Sequence, residues 1–562
     1  MVNRRKKDLI YLATFLLALV FVNILFAHYF ARIDFTKEKR YTLSSITQKT
    51  LQDLDGDLQV TVYLEGDFPA GFKRLKNATR DLLGDFKAYS HGKLHVDFVN
   101  PLSGNAKNQE AVFADLTEKG IEPTNLSVKT EEGMSQKTIF PAALLSYKGR
   151  QYPVKLLLTR AGASPEEVLN NSIQNLEYAF ATAIKKLSSG GRPRIGFTEG
   201  HGELSDLQLA DAMKSLEDGY EVGRVDLKVI PFSGLDKLKL LIIPKPNTAF
   251  SEAEKFKIDY FVMHGGRVLW AIDQVNAELD SLHGAGNQLT FPKKLNLDDI
   301  LFKYGVRINY NLVADMNCAQ IPVNVGQVGG RGQMQMLPWL FYPILIPTSS
   351  HPMVKNLDGI RSEFISTIDT IAIKNVHQEV ILSSSPFSRK LETPTMLSLQ
   401  MVEQEPDPRA FQSDAKPVAV LLEGKFPSDF KNRPQPAEIT EPVILPGQSA
   451  FTKMMVVADG DILKNQVSSV DHSPFPLGYD RFTQQQYGNK NFLLNAADYL
   501  TDDSGIIELR NKEVKIRLLD RPRIRVEKTF WQVINIGLPL VLLLIFGLSW
   551  HFYHRRKYAR KI

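Results

Sequence analysis

The stretch "RPRIGFTEGHGEL", Arg192 to Leu204, holds the residues best suited to chemistry. Glu199, Gly200, His201, Gly202 and Glu203 follow an apolar strand and precede a helix. Two carboxylates and an imidazole could bind a metal or exchange protons, and a glycine loop could cradle a phosphate. Each reading lacks a part. A dinucleotide fingerprint needs G-x-G-x-x-G, and "EGHGEL" has no third glycine. The pattern G-x(4)-G-K-[ST] occurs nowhere in the chain, which argues against ATP hydrolysis by it. Three liganding residues in one short loop, with no second cluster, make a thin metal signal. The plainer reading is a tight turn. Gly200 and Gly202 then permit positive φ, and Glu203 or Ser205 starts the next helix.

A nucleophile is equally hard to find. There is no G-x-S-x-G or G-x-C-x-G elbow. The single cysteine, Cys318 in "ADMNCAQIP", reads as a small buried residue, and it excludes an intrachain disulfide, a thiolate metal cluster and a CxxC redox site. Asp273, Asp459 and Asp461 (the latter two in "VVADGDIL") close predicted strands, either as acid–base carboxylates or as caps of the next helix. No catalytic residue, metal ligand or cofactor is assigned. The chain is expected not to be an enzyme, and the loop Glu199–Glu203 remains a candidate ligand or partner contact.

The elements around that loop alternate. Apolar strands at Arg194, at "LKLLIIP" (Leu238–Pro244) and at "GGRVLWAID" (Gly265–Asp273) are separated by helices, which implies a parallel sheet with ligands at the strand C-termini. "IPVNVGQVGGRGQMQMLPWLFYPILIP" (Ile321–Pro347) suggests a long exposed loop or partner contact, with Trp339, Phe341 and Tyr342 as an apolar patch. Glu405–Gly447 carries eight prolines around one strand, "VAVLLEG", and "NKNFLLNAADYL" is a helix.

Upstream, Thr42 or Ser44 caps a helix, and the order β-α-β-α-β-β follows from "LQVTVYL", through "KLHVDFVNP", to a hairpin turning at Lys148-Gly149. This is a thioredoxin-type layout without redox thiols. Ser164 and Pro165 then open a long helix, and "SSGG" (Ser188–Gly191) closes it as a helix stop and linker.

Both ends are apolar. Leu9–Phe30 runs 22 residues without a charge, enough to cross about 30 Å of hydrocarbon. Its length, and the lack of an A-x-A site, favour an uncleaved anchor over a signal peptide. The second span is Thr529–Tyr553, bounded by Trp531, Trp550 and Tyr553. Asn23, Asn535 and Pro539 are candidates for helix packing inside the membrane. Basic residues flank both sides of each span. Long domains translocate regardless of charge while short basic tails resist, so the tails are placed in the cytoplasm and the large domain in the periplasm of an inner membrane. The net charge of +6 over 562 residues gives no nucleic-acid signature.

The fold class is therefore α/β, membrane-anchored at both ends. Residues 1–31 hold a tail and the first span, and 32–187 a thioredoxin-like domain. Residues 192–505 form a larger flavodoxin- or amidotransferase-like domain with a parallel sheet and loop insertions. A basic strap (506–528), the second span (529–553) and a basic tail (554–562) complete the chain.

Several segments taken together resemble a known family. "FTKEKRYTLS" after the anchor, "NLEYAFATAIKKL", "IGFTEGHGEL", "HPMVKNLDGI", "RLLDRPRI", and "WQVINIGLPLVLLLIFG" followed by "RRKYARK" are similar to the GldG family of gliding-motility-associated ABC transporter components of Bacteroidetes-type bacteria. The resemblance covers nearly the whole chain. It implies a membrane-tethered, substrate-binding-like accessory subunit that works with a permease and a separate cytoplasmic ATPase, in gliding or envelope secretion. It also implies a second domain related to amidotransferase-like folds without their catalytic set. A periplasmic or envelope partner is compatible with it. Two other functions compete. One is a membrane-anchored hydrolase or amidotransferase-like enzyme, with His201 facing a pocket beside Asp273 or Asp459. The other is a mechanical scaffold showing an exposed apolar patch near Trp339–Tyr342.

Overall fold

The computed structural model describes residues 2–28, 42–66, 68–103, 106–130, 133–158, 164–189, 191–328, 331–403, 406–412, 414–511 and 521–558. Met1–Lys512 form one compact unit and Glu513–Ile562 a second.

The first unit opens with helix α1 (Val2–His28), then α2 (Ser45–Gln52). Of the two expected caps, Ser44 does the work: its side chain accepts the Thr47 N–H. The remainder of "FTKEKRYTLS", through Tyr41, lies outside the described residues. β1 (Leu58–Val62), α3 (Ala70–Tyr89) and β2 (Leu94–Phe98) make a parallel crossover. α4 (Ala106–Glu118) leads to a hairpin of β3 (Thr124–Thr130) and β4 (Gly133–Ile139), the latter absent from the sequence reading. β5 (Ala142–Tyr147) and β6 (Arg150–Lys155) then complete a four-stranded sheet in the order β2-β1-β5-β6, with β5 antiparallel to both neighbours. The β5–β6 hairpin turns at Lys148-Gly149, where φ is 48° and 77°; two positive values in succession give a turn whose twist matches the strands.

α5 (Pro165–Ser188) covers this sheet. Its start is a capping box in which Ser164 and Glu167 satisfy each other's backbone N–H. Its apolar stripe, Leu169, Leu176, Phe180, Ile184 and Leu187, is buried with the sheet, and Phe180 meets Phe86 of α3 edge-on at 6.4 Å.

The larger sheet has seven strands. β7 (Arg194–Glu199), α6 (Asp206–Glu217), β8 (Glu221–Asp226), α7 (Phe232–Leu235), β9 (Leu238–Pro244), α8 (Glu252–Met263) and β10 (Arg267–Ala271) alternate as expected. The parallel order β8-β7-β9-β10 continues into Thr452–Val457. The expectation of a parallel sheet needs a correction at the far edge. Pro417–Gly424 and Val376–Ser383 add there antiparallel, because the chain returns to them from the long excursion after β10 rather than through a crossover helix. Alternate residues of β9 and β10 feed two separate cores. Leu240, Ile242 and Leu269 pack with α6 and the helix Asn489–Thr501, while Leu241, Ile243, Val268 and Trp270 pack with α8.

Three expectations change. The supposed exposed loop at Ile321–Pro347 is an antiparallel pair, Cys318–Val328 with Arg331–Leu345. Trp339, Phe341 and Tyr342 form no surface patch; their exposures are 1%, 1% and 2%, and all three pack around Phe364. Rings of this size gain most from burial, which outweighs the loop-like glycines and prolines around them. The basic strap is also rewritten. Ile506–Asn511 is a 3-10 turn with Ile506, Ile507 and Leu509 buried, residues 512–520 lie outside the described residues, and Arg521–Lys528 begin the helix Arg521–Tyr558. Among the described residues Val526–Arg556 is long and apolar enough to cross a membrane, and Ile10–Asn23 is a shorter apolar stretch.

Replacing Trp339 by Ala is expected to cost about 3–5 kcal/mol, as deletion of a buried aromatic does. Denaturant unfolding of the full chain in detergent measures it, and an unchanged midpoint would return the ring to the surface.

Candidate functional site

The carboxyl ends of β7, β9, β10 and Thr452–Val457 meet at one end of the larger sheet, the place where parallel sheets hold ligands. Two constellations lie there, and only one contains the loop singled out by sequence.

In that loop Gly200 and Gly202 take φ of 105° and 70°, and Ser205, rather than Glu203, caps α6. Glu203 turns inward. One of its oxygens accepts the His201 N–H at 2.6 Å, and the other lies 3.4 Å from Nδ1 of the same histidine. On the opposite side Nε2 of His201 lies 3.1 Å from Glu254, and the ring stacks on Phe250 at 3.8 Å. Glu254 has a double task, because its other oxygen closes the capping box with Ser251 at the start of α8. The histidine carbonyl accepts N–H groups from Asn247 and Thr248, which ties the loop to the end of β9.

Burial acts to lower the His201 pKa, but Glu203 and Glu254 outweigh it and the net shift is upward. Burial likewise raises the two carboxyls, and their hydrogen bonds, His201 included, bring both below the usual value. The group is an ion triad that fastens a turn to a helix start. Glu199 points elsewhere, to Arg224 at 3.3 Å. His201 does not contact Asp273 or Asp459, as an acid–base pair would require.

The second constellation centres on Lys245, directly after β9. Its Nζ lies 2.6 Å from Asp461, 2.7 Å from Glu278 and 3.2 Å from Asp273. Lys464 adds a second ammonium 2.9 Å from Asp461, and Lys293 a third 3.9 Å from Asp273. Among the described residues Asp459 takes no direct ion pair; its two oxygens accept the N–H groups of Asp461 and Glu363. Asp273, Asp459 and Asp461 bring carboxylate oxygens within 4.8 Å of one another, close enough for a cation to bridge. The ammonium of Lys245 sits on two of the three, where a metal would sit.

The backbone bends to allow this. Lys245 has a φ of 55°, uncommon for a side chain of its size. Gly460 lies against it so closely that a Cβ would fall 2.4 Å from the lysine Cβ, and its N–H donates to Asp273 at 2.6 Å. Burial opposes the charge on Lys245, but Asp273, Asp461 and Glu278 raise its pKa well above the usual value. Burial also acts to raise Asp461, yet Lys245 and Lys464 bring it below the ordinary range. Burial, then the charges of Asp461 and Asp273, push Asp459 well up. Glu278, the one partner with 42% of its side chain exposed, is raised by burial and by Asp461.

Opposed shifts on neighbouring carboxyls are the raw material of acid–base chemistry. Asp459 and Asp461 are nevertheless sealed at 0% and 5% exposure, out of reach of a substrate. Cys318 offers no alternative nucleophile, because burial, aided by Asp315, pushes its thiol up to about 12. Sequence reasoning found the three aspartates but missed Lys245. Between two prolines in "IPKPN" the lysine reads as a turn, and the only signal was its place at a strand end.

Residues 192–496, more than half the chain, match the ABC-type uncharacterized transport system family, and residues 37–146 match a domain of unknown function (DUF7088). An uncharacterized protein of Borreliella burgdorferi is 22% identical over 553 residues, spanning 96% of each chain. Among solved structures, the mmIFT52 N-terminal domain aligns at 13% identity over 55% of this chain and 97% of its own, with a TM-score of 0.32. A ThuA-like protein of Bacteroides uniformis aligns at 14% over 56% and 93%, with a TM-score of 0.26.

The shifts at His201 set a pH dependence. A raised histidine stabilises fully below its unfolded pKa of about 6.5 and loses that contribution as pH rises through the folded value. The lowered glutamates contribute above about 4.3 and lose it as pH falls through their folded values. Stability should therefore decline on the alkaline side of about pH 6.5, and His201→Gln should flatten that limb in denaturant titrations at stepped pH. An identical slope in the variant would remove the triad from the account. At the second constellation, Lys245→Met should cost about 3–5 kcal/mol by stranding buried carboxylates. Adding Asp461→Asn should recover part of the loss, and a double variant weaker than the single would contradict the pairing.

Proposed function

We infer that this chain, which belongs to the ABC-type uncharacterized transport system family, is a non-catalytic accessory subunit that acts with a separate permease and a separate ATPase. The family match over residues 192–496 carries the reading, because that span holds the seven-stranded sheet and both charged constellations. The geometry supports it. Lys245 compensates the carboxylates at the strand ends, and Glu203 and Glu254 hold His201, so the usual catalytic position is spent on fastening the fold.

The finer reading is a GldG-type component. Spans at residues 9–30 and 529–553 anchor it in the inner membrane, with both tails cytoplasmic and the bulk periplasmic. Residues 32–187 serve as a thioredoxin-type spacer and 192–505 as an amidotransferase-like module. The sheet order β2-β1-β5-β6 in the first and the parallel β/α run in the second support those two assignments. Energy comes from ATP hydrolysis on the ATPase chain, and of the loop Glu199–Glu203 the outward face at Gly200 and Gly202 belongs to the surface offered to a ligand or envelope partner, while His201 and Glu203 stay inside. A role in gliding or in envelope secretion follows from the same resemblance.

Affinity purification of the full-length protein from detergent-solubilised membranes, read by quantitative mass spectrometry, tests this. A permease and an ATPase should be recovered in fixed ratio with it. Recovery of the protein alone, under conditions that preserve other transporter complexes, would sink the accessory-subunit reading.

A further inference from the structure

A cleft of about 750 Å³ opens at the amino ends of β7, β8 and β9, the end of the larger sheet away from both charged constellations. Its other walls come from α2, α5, the helix Asn489–Thr501 and the turn Ile506–Asn511. The volume is that of a small-molecule site.

Lys186 of α5 is the least exposed cation in it, with 22% of its side chain open to solvent. Its stem crosses Gly219 so closely that a Cβ there would fall 3.0 Å from Nζ. The ammonium lies 3.1 Å from Asp498 and 3.5 Å from the Tyr152 hydroxyl. An ammonium has three donors, so these two partners leave one for a guest.

Three further cations reach the cleft and are exposed: Lys49 of α2, Lys185 of α5 and Arg192 just before β7. Among the described residues none of the three forms an ion pair. Arg192 gives Nη1 to the Glu217 carbonyl at 3.0 Å and keeps its other nitrogens. Lys185 could serve the negative end of α5, but Arg150 already takes the carbonyls of Leu187 and Ser189 there.

The carboxylates along the cleft are already committed. Asp498 holds Lys186 and accepts the Tyr220 hydroxyl at 2.6 Å. Asp503 meets Lys239 at 2.6 Å and also Arg267, and Asp502 accepts the N–H groups of Ser504 and Ile507. These three carboxylates balance Lys186, Lys239 and Arg267, which leaves Lys49, Lys185 and Arg192 as the excess.

We propose that this cleft binds a phosphorylated small molecule, its phosphate held by Lys49, Lys185 and Arg192 and by the spare donor of Lys186. Lysines meet an anion as point charges, so cations converging from several elements suit a tetrahedral oxyanion with three free oxygens. A planar carboxylate is met best by a single guanidinium fork. Tyr178, Ile506 and Ile507 line the same cleft and offer the organic part an apolar wall. The inference goes beyond the transporter reading and does not rest on it.

A soluble phosphate ester and a lipid headgroup share this chemistry, so the test carries both. Isothermal titration calorimetry on the full-length protein in detergent uses glycerol phosphate for the first source and dihexanoyl phosphatidic acid for the second. At least one ester should bind, and binding of one alone names the source. Glycerol should not bind, and succinate, also a dianion, should bind at least about tenfold more weakly, the loss of one charge-assisted hydrogen bond. Replacing Lys49 and Lys185 together by Gln should weaken the ester at least about tenfold, and added salt should weaken it too. Lys228→Gln, at an exposed lysine outside the cleft, should change nothing. Should the double variant fail to fold, Arg192→Gln carries the test. Failure of both esters to bind, succinate binding as tightly, a salt-independent affinity, or an affinity untouched by the variants would each overturn the proposal. An equal loss in Lys228→Gln would reduce the effect to net charge and remove the cleft from it.

Discussion

Placing an ammonium group under the carboxyl ends of a parallel sheet is the constraint from which the rest of the larger fold follows. Lys245 can hold Asp273, Asp461 and Glu278 together only if its own backbone takes a positive φ and its neighbour across the strand ends has no side chain. Gly460 meets the second condition and in the same step delivers an N–H to Asp273. The ends of β9, β10 and Thr452–Val457 are thereby fixed to one another by charge as well as by their ladder of hydrogen bonds. In low dielectric such a network is strong when complete and expensive when any member is missing.

The same economy governs the histidine loop. A residue whose type suggested reactivity is used as a rivet, because each of its ring nitrogens already faces a carboxylate that has a second task. Fold position alone does not make a site catalytic. In this molecule the charged groups at the strand ends look inward to each other.

How much of this was legible in the sequence depended on range. Local signals were clear: the Ser164 cap followed by Pro165, the Lys148-Gly149 turn, the alternation of β7 through β10 and the glycine turn after Glu199 all rest on neighbours within a few residues. Pairings set by distant residues were not. "VAVLLEG" read as a strand with no direction attached, Val376–Ser383 drew no reading at all, and Trp339 sat among glycines, glutamines and prolines that imitate an exposed loop. Lys245 was opaque for another reason. A lone cation is nearly always solvated, and only its three-dimensional neighbours show that it is not.

The strand beside β10 in the finished sheet does not follow it in the chain; residues 272–451 intervene. During synthesis β10 therefore emerges with one edge bare, and Lys245 emerges with Asp461 still to come. Loop closure over such a span must precede any reward from contact, so the topology favours slow assembly and a long-lived half-sheet with an open ladder. An edge of that kind is a template for pairing with other chains. The molecule's greatest exposure to aggregation thus falls in its own biogenesis, and it ends only when the last parallel strand slots into the middle of a sheet already half built.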